Sequence, residues 1–241
     1  MAAIAICAVS LAAQPNFKTN EEYDGFIAIQ AAETIDDRIE AGTAFMAAYP
    51  DSEAKGLAAY MLMLSYQGNN DFDSMLIYGD EVLANTEDAG IVVGTLVSLS
   101  GAIPNRTREF DLDKEEKLSK AEDYAKRAMT MIPTLVKPDP AMSDEDWLET
   151  KKEFMSQCHE SLGLVSAKRS DHAAAEASLR KSMGLATAPT PSVMYNLGLA
   201  LMAQDKKSEA ANVADACTAA GGYVTGDGTD MCASLKTEAT K

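Results

Sequence analysis

"SLGLVSAKRSDHAAAEASLRKSMGLA" (residues 161–186) and "NLGLALMAQDKKSEAANVADACTAA" (residues 196–220) are one pattern written twice. Leu162-Gly163 returns as Leu197-Gly198, and Ala175 returns as Ala210, each 35 residues later. Each copy reads as a helix, a short polar turn and an Ala-rich second helix. Glycine inside a helix costs about 1 kcal/mol relative to alanine, so Gly163 and Gly198 call for a packing reason. Ala175 and Ala210 fall where a side chain larger than methyl would push two helices apart. The pattern predicts helical hairpins that close tightly and stack in series.

This length, with Leu-Gly in the first helix and a small residue early in the second, resembles the tetratricopeptide repeat, a unit of about 34 residues. The resemblance implies an all-α chain, a right-handed α-solenoid of about five such hairpins over residues 14–221. It also implies a non-enzymatic scaffold that binds protein or peptide in a concave groove lined by the first helix of each hairpin. "AYPDS" (residues 48–52), followed by "EAKGLAAYMLMLSY", is similar to the helix-end signature of bacterial envelope-type tetratricopeptide proteins. That likeness implies a second reading, a structural subunit of a cell-envelope or outer-membrane assembly complex.

The formal net charge of −16 over 241 residues argues against nucleic acid, because neutralising phosphates takes clustered Lys and Arg. Basic runs here are pairs such as Lys151-Lys152 and Lys206-Lys207. The balance fits a neutral or basic partner, although an acidic surface is also simply well solvated. No stretch reaches the roughly 20 apolar residues of a membrane-spanning helix. Only Gly90–Leu99 has a strand-like composition, and it lacks a partner strand.

"MAAIAICAVSLAA" (residues 1–13) is apolar and uncharged. It reads as the remnant of a signal peptide that has lost its basic start, which gives a periplasmic or secreted protein. Without that role for residues 1–13, the expectation is cytoplasmic. Next comes a hairpin from Asn20, read as the N-cap, to Ser52, ended by Pro50. The second hairpin spans Glu53–Asp88, with Asn69-Asn70-Asp71 as its turn and Met75 and Gly79 in its small-residue positions. In the third, residues 104–116 read as an insertion, and Ala121, Ala125 and Ala128 take the small positions. Ser143 caps a long helix that opens the fourth. The Gly221-Gly222 pair ends the fifth, which leaves residues 222–241 as a poorly ordered C-terminal tail.

Catalytic spacing is missing. His159 and His172 fall at positions where the repeat carries an aromatic side chain, and neither sits in a metal-binding motif. No phosphate loop, nucleophile elbow or Cys-x-x-Cys occurs, so no cofactor and no metal are expected. Cys217 reads as a packed thiol, or as the partner of Cys232. A bridge between them would pin the tail across the last helix. Carried over from the repeat, the groove positions are Tyr60, Met61, Leu64 and Gln67 in the second hairpin. Glu160, Ser161, Leu164 and Lys168 follow in the fourth, and Tyr195, Asn196, Leu199 and Met202 in the fifth. A shift of one residue in phase would send any of them to the core instead.

Overall fold

In the computed structural model, which describes residues 15–241, every regular element is a helix apart from one isolated antiparallel bridge, Val224 to Asp230. The signal-remnant reading of residues 1–13 and Cys7 lies outside the described residues. The chain divides into two compact units: residues up to Leu99 with Thr134–Met142, and Ser100–Pro133 with Ser143–Lys241.

The first unit begins with α1 (Asn20–Ala31) and α2 (Ile35–Ala48). Thr19, not Asn20, caps α1: its hydroxyl accepts the Glu22 N–H at 3.1 Å, while Glu22 Oε2 accepts the Lys18 N–H. The Thr19-x-x-Glu22 spacing is that of a capping box, and it outranks the acceptor one residue later. Phe26, Ile29 and Phe45 form the core with Ala54 and Ala58, and Phe17, Tyr49 and Met61 pack against them. The second hairpin is α3 (Lys55–Gly68) and α4 (Phe72–Asn85), with Asp71 capping α4 through the Ser74 N–H. Tyr66 and Tyr78 stack across it at 5.3 Å. Met75 is buried in a small-residue position, and Gly79 supplies the room. A Cβ on Gly79 would come within 2.8 Å of Leu99, on α5 (Ala89–Arg106). Gly42 meets Leu62 in the same manner at 2.6 Å, so each second helix admits a leucine of the next first helix. The period of that pair is 37 residues, and it does not coincide with the 35-residue Leu-Gly period further on.

The second unit holds α6 (Lys114–Met131), the long α7 (Asp144–Lys168), α8 (His172–Leu185), α9 (Pro191–Met202), α10 (Lys207–Ala219) and α11 (Met231–Ala239). Ala121, Ala125 and Ala128 are fully buried on α6, and so are Ala175 on α8 and Ala210 on α10. Small side chains also admit polar contacts at helix crossings: Ser156 Oγ donates to the Ser182 carbonyl at 3.0 Å, and the Ser100 and Ser161 hydroxyls meet at 3.1 Å.

Two boundaries differ from the sequence expectation. The insertion is 107–113 rather than 104–116. The α5 helix continues through Pro104 to Arg106 because Ile103 is buried and the Thr107 N–H and hydroxyl both close on the Ile103 carbonyl. Phe110 and Leu112 stand fully exposed in the remaining loop. Residues 222–241, expected as a loose tail, form a turn and a docked helix. Asp230 caps α11 by accepting the Cys232 N–H at 2.9 Å, and Cys232, Leu235 and Ala239 are buried along one face. One turn of spacing between Cys232 and Leu235, and another to Ala239, makes that face apolar.

Candidate functional site

In the second, fourth and fifth hairpins the turns joining first to second helix share one conformation. Asn70, Ser170 and Asp205 each adopt φ near +60°, and the next residue's N–H returns to the carbonyl five positions back. Such turns set the angle at which each hairpin presents its first helix. In the fourth hairpin, a Cβ on Gly163 would lie 2.6 Å from Leu179 Cγ and 3.4 Å from the Ala175 carbonyl. Contact between helices is therefore backbone-close at the predicted position. Gly198 differs from its reading. What fills the space above it is the Leu235 side chain of α11, and not α10.

The sequence-predicted groove residues separate into two groups. Tyr60 is 8% exposed, packed where α5 passes Gly94. Met61 belongs to the first core, Leu64 is half-buried and Gln67 is exposed. Ser161 and Leu164 are buried, and Lys168 donates its ammonium to the Thr107 carbonyl at 2.8 Å, just past the end of α5. Tyr60, Ser161 and Leu164 are therefore core, and Lys168 is a structural tether. Glu160, Tyr195, Asn196, Leu199 and Met202 keep accessible surface.

Those five side chains lie on α7 and α9, the first helices of consecutive hairpins, which both pack on α8 and touch each other. Leu199 is 41% exposed. Tyr195 rests on the cluster of Met194, Cys217 and Cys232, and its ring meets Tyr223 at 5.4 Å. Tyr223, 39% exposed, and Val224 extend the apolar surface. Sequence reasoning missed Tyr223, because nothing in "GGYVTGDG" places it over a tyrosine 28 residues earlier. Cys217 and Cys232 are joined in a disulfide with Cα atoms 5.9 Å apart, and Cys158 is a free thiol whose pKa burial pushes up to about 12. The Glu160 carboxylate has no hydrogen-bond or ion-pair partner among the described residues. Burial first, and then the like charge of Glu153, push the pKa of its carboxyl up to about 7. Such a group is costly to ionise where it stands.

Both histidines are elsewhere. His159 is held below its ordinary value by burial and by nearby Lys181, and the carbonyl of His172 accepts the Gln204 amide at 3.0 Å. No group of three or more His, Cys, Asp or Glu among the described residues is arranged to hold a metal ion, and no described helix is long and apolar enough to cross a membrane.

No protein-family model matches the sequence, and no curated protein matches it. Among solved structures, the chain is similar to TTC0263, a thermophilic tetratricopeptide repeat protein of Thermus thermophilus, at 18% identity and TM-score 0.49, over 81% of this chain and 89% of that one. It is also similar to Acl4, an assembly chaperone of RpL4, at 14% identity and TM-score 0.48, over 92% and 95% of the two chains. A third similarity is to the TPR2AB domain of yeast Sti1 in complex with a pHSP90, at 12% identity and TM-score 0.32, over 92% and 96%. The hairpins themselves, with paired helices closing on Gly163 and with Ala175 and Ala210 buried in register, make the described chain a series of helical-hairpin repeats.

Proposed function

We propose that the protein is a non-enzymatic scaffold that holds a polypeptide segment against α7 and α9. The observation that carries this reading is the patch of half-buried Tyr195 with exposed Leu199 and Tyr223, on and beside the first helix of the fifth hairpin. Large aromatic rings fixed by their neighbours make effective anchors, since little side-chain entropy remains to be lost on binding. Asn196 beside them offers an amide that can pair with a peptide backbone. Glu160 favours a basic side chain in the bound segment: a cation brought beside it would restore the charged form that burial disfavours, and the net charge of −16 works in the same direction. The Cys217–Cys232 bridge favours an exported protein in an oxidising compartment.

Selection from a displayed random-peptide library tests the reading. Sequences carrying Lys or Arg next to an apolar residue are expected, and Tyr195→Ala with Leu199→Ala should weaken their binding by about tenfold or more. Peptides that bind both proteins equally, or a selection with no enrichment, would overturn it.

A further inference from the structure

Tyr195 is held from two sides. Beneath it lie Met194 and the two bridged cysteines, and over it lies Tyr223. Tyr223 sits inside the loop that the bridge closes, between partners 15 residues apart in sequence. The path of that loop is narrow. Gly221 and Gly222 turn the chain with φ of 110° and 72°, and the Gly222 N–H closes on the Cys217 carbonyl at 3.0 Å. Beyond Tyr223 the chain pairs Val224 with Asp230, and the Met231 N–H returns to the Tyr223 carbonyl at 2.8 Å. The remaining bonds of the loop, among them Thr225 N–H to the Thr229 carbonyl at 2.9 Å and the Thr225 hydroxyl and Thr229 N–H to the Asp227 carboxylate, close the turn on itself and do not tie it to the floor under Tyr195. The exposed Lys236–Asp215 ion pair adds little to the docking of α11.

We infer that the Cys217–Cys232 bridge is a positioning element of the binding patch, acting through Tyr223, and this rests on the reading that the patch binds a peptide. With the bridge closed, both ends of the loop are anchored in the floor under Tyr195, and the Tyr223 ring is presented ready-made. Opening it takes two electrons and two protons. The thiolate of an external dithiol attacks one sulfur, the S–S bond breaks to a mixed disulfide, and the second thiol then resolves it. Cys217 and Cys232 are left as thiols and the dithiol as its own disulfide. Both cysteines are fully buried, so attack requires the turn to open first, and the closed state persists in the folded protein.

The probe is a peptide selected on the wild-type protein. Replacing both cysteines, Cys217→Ser with Cys232→Ser, should raise its Kd about tenfold, and Tyr223→Ala should do the same. Combined, the three changes should cost no more than Tyr223→Ala alone, because the bridge acts through that ring. Losses that multiply, or an unchanged Kd without the bridge, would overturn the inference. Amide exchange supplies an arm that needs no ligand. In wild-type protein reduced by a dithiol, amides between Tyr223 and Met231 should exchange faster while those of α9 keep their protection. Unchanged protection over 223–231 would sink the inference even if peptide binding stands, and loss of binding in Tyr195→Ala alone leaves the two claims separable.

Discussion

The fourth and fifth hairpins are built on one plan and close differently. In the fourth, Leu179 of α8 lies over Gly163 of α7, inside the hairpin. The matching position in the fifth, 35 residues on, is Ala214, too short to cover Gly198. Leu235 comes in from α11 and does so instead. A hairpin in such an array buries its apolar face against a neighbour, and over Gly198 that neighbour is α11. Here the cover is a nine-residue helix borrowing the side-chain position that the previous hairpin supplies for itself. The small residue at 214 and the large one at 235 are two halves of one solution.

The largest expected effect breaks that comparison directly. Leu179→Ala opens a cavity inside a hairpin core and should destabilise the second unit by about 3 kcal/mol, measured by chemical denaturation. Leu235→Ala should cost about 1 kcal/mol in the same measurement while abolishing exchange protection along α11, since the terminal helix can open without the rest. Equal global losses would show that the two leucines are not in different cooperative settings.

Adding a methyl to each glycine sharpens the point. Gly163→Ala sets a Cβ against Leu179 Cγ and near the Ala175 carbonyl, where neither can yield far. It should destabilise by about 2 kcal/mol despite the better helix propensity of alanine. In Gly198→Ala the clash is with the flexible end of Leu235. That variant should fold at near wild-type stability with α11 displaced, read as faster exchange at Met231–Ala239. A larger global loss from Gly198→Ala than from Gly163→Ala would invert the ranking.

How much of this was legible depended on period. The Leu-Gly pairs, Ala175 and Ala210, and the Ser143 cap could be read because local spacing and tertiary packing ask for the same residues there. The groove was less legible, since Tyr60 and Tyr195 occupy the same position in the first helix and differ only in what covers them. Tyr60 lies under α5, whereas Tyr195 meets a turn that leaves Tyr223 half open. No pattern within one hairpin encodes its neighbour's shape. The tail misled for a related reason: two glycines signal a stop, yet Asp230, Cys232, Leu235 and Ala239 carry a cap and an apolar face within one short helix.

The turns of the two hairpins also grip the preceding second helix with different chemistry. Arg169 pairs with Glu122 and Glu115 of α6 at 2.5 Å. In the fifth hairpin Lys206 reaches Glu176 of α8 at 2.6 Å, joined by Arg180 and Gln204. Lys206 above all holds the pKa of the Glu176 carboxyl down at about 2. A depressed folded value means stability that is complete above the ordinary carboxylate pKa of 4.5 and lost as pH falls through 2. Its size is no more than about 2 kcal/mol once solvent screening is allowed for. Lys206→Met should therefore lower stability at pH 7 and flatten the acid limb between pH 4.5 and 2. An unchanged limb would mean that the pair contributes nothing measurable.

The smallest effect lies in the turns themselves. Ser170 and Asp205 hold φ of 61° and 59°, a region that L side chains enter at a cost of about 1 kcal/mol and glycine enters freely. Glycine also enlarges the unfolded ensemble, which offsets part of that relief. Ser170→Gly should therefore stabilise by about 0.5 kcal/mol, and Asp205→Gly by less, because aspartate tolerates left-handed backbone better than serine. Thermal melts of the two variants, side by side, read the difference. If Ser170→Gly is destabilising, the hydroxyl must serve the turn in a way its backbone angles do not reveal. The fourth and fifth hairpins would then differ in their turns as well as in their closure.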